Sequence, residues 1–88
     1  MNHKHRKVLH ALFAHPVSAN ISTRSAESVL RELGGEIEQR HGGRMGVRLN
    51  GHFAEFSHAS HSLQPMQVRQ MSKFIAEAGI DPKQDYPL

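Results

Sequence analysis

The sequence predicts an α+β domain in which helices back a three-stranded antiparallel sheet, in the order α-α-β-β-β-α. Two stretches before residue 34 and one after residue 65 repeat apolar residues at the spacing of a helix face. Between them, residues 36–57 alternate apolar and polar positions around two glycine-containing turns, as a β-meander does. A chain of 88 residues has room for one hydrophobic core, so residues 1–88 are expected to form a single domain.

The first two helices are indicated by their apolar stripes and by the residues that limit them. An extra N-terminal helix is predicted over residues 3–15, because Pro16 excludes the preceding residue from the α region. The second helix begins at Ser22 or Thr23, which can cap a helix N-terminus, and ends at a double glycine. Its apolar stripe is the most regular in the chain and consists of Ala26, Val29, Leu30 and Leu33.

The sheet is predicted from a strand near residues 36–40, a turn at Gly42-Gly43, and two strands joined by Asn50-Gly51. Side chains on successive strand positions point to opposite faces. The face predicted to be buried carries Met45, Val47, Leu49, Ala54 and Phe56. The open face is predicted to carry Arg44, Arg48 and Phe53.

The last helix is expected to begin at Pro65, since the fixed φ of proline suits the first helical position, and to end at Gly79. Its apolar stripe is formed by Val68, Met71, Ile75 and Ala78. Residues 81–88 have the composition of a frayed chain end, so we expect a flexible tail there.

Charges are unevenly distributed along the chain, although the net charge is only +3. Residues 1–26 hold basic residues and no acid, and residues 27–38 are predominantly acidic. Residues 40–73 hold Glu55 as their one acid against Arg40, Arg44, Arg48, Arg69 and Lys73. A basic block between acidic segments is typical of an anion-binding surface, with an ordinary solvated surface as the alternative.

Composition excludes several classes of protein. The chain has no cysteine, which excludes disulfides and thiolate metal sites. The N-terminal MNHKHRKVLHALFAHPV has neither a secretory apolar region nor the run of about 20 apolar residues that spans a membrane. We therefore expect a cytoplasmic protein without a membrane partner.

The order and spacing of several segments resemble the HicA toxin family, in its variant with an extra N-terminal helix. The segments are ESVLRELGGEIEQR, GGRMGVRLNG, AEF, a histidine-containing loop and VRQMSKFIAEAGIDP, within a match over residues 3–82. The resemblance implies a fold like that of the double-stranded-RNA-binding domain. It also implies an mRNA-cleaving toxin that a HicB-like antitoxin neutralises. Where the family has Gly-Ser-His, this chain has Gly42, Gly43 and Arg44.

Cleavage of RNA without a metal requires a base for the 2′-hydroxyl proton, cations for the phosphorane oxygens and an acid for the 5′-oxygen. Histidine suits the proton transfers because its unperturbed pKa is about 6.5. We assign them to His58 or His61, with His41 as a further candidate. Arg44 and Arg48 are expected to hold the scissile phosphate, since arginine stays charged and offers several donors. Further RNA contacts are expected from Arg40, Gly43, Phe53, Arg69 and Lys73.

Two other interpretations fit the same residues. Because Arg44 stands where the family has histidine, the domain can instead be a non-catalytic module that binds RNA or protein. His58-x-x-His61 together with His52 has the ligand type of a zinc site. The sequence offers no cysteine and no well-placed third ligand in a fixed framework, so we expect neither a metal nor another cofactor.

Overall fold

The computed structural model describes residues 1–58 and 60–88. Its elements are α1 (His3–Leu12), α2 (Thr23–Glu32), β1 (Glu36–Arg40), β2 (Arg44–Leu49), β3 (His52–Ser57), α3 (Pro65–Glu77) and α4 (Pro82–Asp85). The predicted α+β class and the order α-α-β-β-β-α are confirmed, and the one-turn α4 is added at the C-terminus. In the ranges that the structure describes, no helix is long and apolar enough to cross a membrane.

The three strands form one antiparallel sheet in the order β1-β2-β3, with β2 in the centre. Val47 pairs with Ile37 on one side and with Ala54 on the other, which fixes the register of both hairpins. The predicted buried face is buried at Met45, Val47, Leu49 and Phe56. Ala54 is half-buried against the same core, because β3 is an edge strand of the sheet.

The helices cover the buried face of the sheet. The ring of Phe74 on α3 meets the ring of Phe56 on β3 edge to face, with 5.7 Å between the centroids. Helix α1 contacts α2, α3 and α4, and its Leu9 and Leu12 side chains are fully or almost fully buried. The N-terminal helix is therefore part of the hydrophobic core.

Helix α1 ends three residues earlier than the sequence predicts. The amide of Phe13 donates to His10 O at 3.1 Å, and the amide of Ala14 donates to Ala11 O at 3.2 Å. These bonds span three residues, so the chain tightens into a final narrow turn before Pro16 is reached. Phe13 still packs against the core from that turn.

The expected flexible tail is the clearest difference between sequence and structure. Residues 82–85 form α4, where the Asp81 side chain accepts from the Lys83 amide at 3.0 Å and Pro82 is buried. His10 Nε2 on α1 donates to Tyr86 O at 2.7 Å, and Arg6 donates to Pro87 O at 3.2 Å. Composition could not indicate this attachment, because α1 holds the tail through main-chain carbonyls that every residue has.

The β2–β3 turn is tied to the end of α3 by Asn50. Its backbone φ is 50° and that of Gly51 is 84°, so both central turn residues are left-handed. The Asn50 side-chain amide also donates to Ala78 O at 2.9 Å, just after α3 ends. Asn50 therefore has a conformational role and a hydrogen-bonding role.

These two roles predict a graded loss of stability. Asn50→Gly keeps the turn and removes the hydrogen bond, so it should lower the free energy of unfolding by about 0.5–1.5 kcal/mol. Asn50→Ala also removes the polar side chain through which asparagine tolerates a left-handed backbone, which should cost a further ~1 kcal/mol or more. Urea unfolding of the two variants checks this. If the alanine variant were as stable as the glycine variant, the left-handed backbone at residue 50 would not be what limits the choice of side chain there.

Candidate nucleic-acid interface

The open face of the sheet carries balanced charge. Residues opposite each other on neighbouring strands point to the same side, so the register decides which side chains share this face. Three arginines and three glutamates do so: Glu36, Glu38, Arg40, Arg44, Arg48 and Glu55. Their formal charges cancel. The predicted basic face thus has its arginines in place, but acids from both edge strands lie among them.

Two of the three arginines on this face are engaged by these acids. Arg40 lies 3.4 Å from Glu38 and 3.2 Å from Glu55, and Arg44 lies 3.8 Å from Glu55. The Arg40 guanidinium also lies over the Phe53 ring, 5.2 Å from its centroid. Within the described part of the chain, Arg48 alone of the three has no carboxylate within 4 Å. The face therefore attracts anions less than its arginine content suggests.

His58 lies on the other side of the sheet from these arginines. Ser57 pairs with Arg44, so the next residue along the chain points toward the helices. There His58 Nε2 lies 2.7 Å from Glu27 Oε1 on α2. The second Glu27 oxygen accepts from Arg31, at 3.3 Å from Nε and 3.0 Å from Nη2. A histidine, a carboxylate and an arginine thus form a continuous chain of contacts.

This histidine opens onto a cleft at the start of α2. About a third of the His58 side chain is exposed, at 32%. The residues that line the cleft come from α2 and from the loop after β3: Ser22, Thr23, Arg24, His58, Ser60 and His61. The cleft therefore collects two imidazoles, a guanidinium and several hydroxyl groups.

Backbone hydrogen bonds fix the loop against α2. The Thr23 amide donates to His61 O at 3.0 Å, and its hydroxyl donates to Ser60 O at 2.7 Å. Two residues further along, Leu63 N donates to Ile21 O at 2.9 Å. Thr23 is buried, so these bonds are shielded from water. They hold His58 and His61 in the same cleft.

The structure separates the predicted site residues into three groups. His58 and His61 share the cleft at α2. His41 lines a shallow depression with Arg40 and Arg44 on the sheet side, and Arg48 and Phe53 border a neighbouring one. Gly43 touches the first group through its carbonyl, which accepts from the His58 amide. Arg69 and Lys73 lie on the exposed side of α3, away from its buried stripe.

The sequence prediction missed two residues of this site: Arg24, which lines the cleft, and Glu27, which contacts His58. Glu27 was counted only as one of several acids, and Arg24 only as one of several basic residues. The available signal was weak: Glu27 lies four residues before Arg31, a spacing that pairs charges on a helix surface. Their relation to His58 depends on a contact between residues 31 positions apart, which spacing alone does not reveal.

The zinc alternative receives no support from the described residues. Among residues 1–58 and 60–88, no group of three or more histidine, cysteine, aspartate or glutamate side chains is arranged to hold a metal ion. His52 and His58 stand at opposite ends of β3. Six residue steps of extended chain, at about 3.3 Å each, separate them by about 20 Å, which is too far for shared coordination.

No protein-family model matches the chain, and no curated protein or solved structure matches it. No residue role can therefore be transferred from a relative. The chemistry of the cleft and of the open face of the sheet is the basis for inferring function.

Proposed function

We propose that the protein is a HicA-like toxin that binds mRNA and cleaves it without a metal ion, at the cleft that contains His58. The observation that carries this proposal is the contact between His58 Nε2 and Glu27. A carboxylate that holds one imidazole nitrogen fixes the ring and stabilises its protonated form. The other nitrogen, Nδ1, is then left for a substrate proton.

The proposed reaction uses the 2′-hydroxyl of the RNA as the nucleophile. His58 removes its proton, and the 2′-oxygen bonds to the adjacent phosphorus. The bond from phosphorus to the 5′-oxygen breaks, and His61 supplies a proton to that oxygen. The products are a 2′,3′-cyclic phosphate and a 5′-hydroxyl. Arg24 replaces Arg44 and Arg48 as the cation beside the phosphate, because it lines the same cleft as both histidines.

A second candidate function is a non-catalytic module that binds RNA or a protein partner. The observation that favours it is the open face of the sheet, where ion pairs surround a Phe53 side chain that is 51% exposed. Aromatic residues and arginine are enriched at protein interfaces, and this face exposes both. In the toxin proposal, the partner for this face is a HicB-like antitoxin.

Cleavage of a mixed-sequence RNA in excess chelator distinguishes the two functions. We expect the wild-type protein to yield products with 2′,3′-cyclic phosphate ends, and the double variant His58→Ala, His61→Ala to yield none. The double variant, purified identically, also controls for contaminating ribonucleases. Both proteins should bind RNA whose 2′-hydroxyls are methylated. Binding without cleavage by the wild type would favour the non-catalytic module.

A further inference from the structure

We infer that the exposed side of α1 binds the phosphate backbone of the RNA and leads it to the His58 cleft; this inference rests on the proposed function for the identity of its ligand. Helix α1 and the loop after it contain no acidic residue, since the first acid of the chain is Glu27. Lys4 and Lys7 are both exposed on α1. Their spacing of three residues places them on one side of the helix.

The two lysines differ from two of the three sheet arginines, Arg40 and Arg44, because they are unpaired. In the described part of the chain, Lys4, Lys7 and Arg24 have no carboxylate within 4 Å. The acids of α2 are already engaged, Glu27 by Arg31 and His58, and Glu32 by a histidine of α1. Unpaired cations keep their full attraction for phosphate. The unpaired cations of α1 and Arg24 are therefore free to bind phosphate on the helical side of the molecule.

This surface continues into the His58 cleft without interruption. A groove between α1 and the following loop is lined by Lys7, Val8, Ala11, residues 18–22 and Ser25. Ser22 lines both this groove and the cleft that contains Arg24, His58 and His61. An RNA strand that lies along α1 thus reaches the two histidines of the cleft by passing over Ser22. The apolar side of α1 is buried in the core, so the exposed side has charge but no apolar face for a membrane.

A binding titration with matched variants tests the inference. The probe is a short, mixed-sequence, single-stranded RNA with methylated 2′-hydroxyls, which cannot be cleaved. Lys4→Gln, Lys7→Gln removes two cations from α1, and Arg69→Gln, Lys73→Gln removes two from the outer side of α3. We expect the α1 variant to bind on the order of tenfold more weakly at about 0.1 M salt, with a plot of log K against log[salt] shallower by about 1.4. The α3 variant should match the wild type: the inference withdraws the RNA contacts that the sequence predicted for Arg69 and Lys73, because neither residue lines the groove or the cleft.

The outcomes separate this inference from the proposed function. Equal losses of RNA affinity in the two variants would mean that only the net charge of the protein matters for binding. That result would overturn the inference, even if His58-dependent cleavage is observed. Preferential, lysine-dependent binding to phosphatidylserine vesicles over RNA would also overturn it. Lysine-dependent binding without any cleavage would support the α1 surface while refuting the catalytic proposal. Circular dichroism of each variant confirms that the fold is intact.

Discussion

His58→Ala alone is expected to lower the rate constant of RNA cleavage by about 10²–10⁴, the contribution typical of a positioned acid or base. His61→Ala should have a smaller effect. The physical reason is orientation: His58 is held by Glu27, whereas His61 is exposed and has no carboxylate partner in the described part of the chain. Single-turnover cleavage of a defined RNA measures both variants. If His61→Ala were the more damaging change, the roles assigned to the two histidines would be reversed.

Glu27 is a positioning residue in this scheme, and the chain supplies its own control. Glu27→Gln keeps the shape of the side chain and removes its charge, so we expect cleavage to slow by about tenfold or more while RNA binding is unchanged. Glu32 contacts His5 as Glu27 contacts His58, but away from the cleft. Glu32→Gln should leave cleavage as in the wild type. Equal effects of the two changes would indicate a structural role for both carboxylates.

The architecture could be predicted from the sequence because each element has a local sequence signature. The alternation of polar and apolar residues from Arg44 to Leu49 predicts the two faces of the central strand, and Asn50-Gly51 predicts the turn that follows it. The charge balance of the open face could not be predicted from the sequence, because it depends on the pairing of β1 with β2. That pairing places Glu36 beside Arg48 and, together with the pairing of β3, brings Glu55 within reach of Arg40.

The cleft could be predicted only in part from the sequence, for a similar reason. Sequence reasoning selected His58 and His61 from their residue type and their place after β3. It grouped them with the sheet arginines because those are close in the chain. The side that a loop residue faces is decided by tertiary contacts, here the bonds of Thr23 to the loop. Those bonds turn the histidines toward α2 and Arg24.

Leu9→Ala is expected to lower the free energy of unfolding by about 2–5 kcal/mol, the cost of a cavity left by a buried leucine. The Leu9 side chain is fully buried between α1 and the rest of the core. A domain of this size has a total stability of about 4–13 kcal/mol, so the loss is a large part of it. Urea unfolding measures the effect. Met66→Ala on α3 is the control, because Met66 is 69% exposed and should cost less than about 0.5 kcal/mol.

The same experiment shows whether α1 unfolds with the domain or detaches first. Tyr86 is the only tyrosine of the chain, which has no tryptophan. The carbonyl of Tyr86 accepts a hydrogen bond from His10 on α1. Tyrosine fluorescence therefore reports the contact between the tail and α1, whereas far-ultraviolet circular dichroism reports all helices. We expect the two transitions to coincide in the wild type, because α1 supplies buried residues to the common core. An earlier fluorescence transition would mean that α1 and the tail form a separable unit. The surface proposed to guide RNA would then be lost before the cleft unfolds.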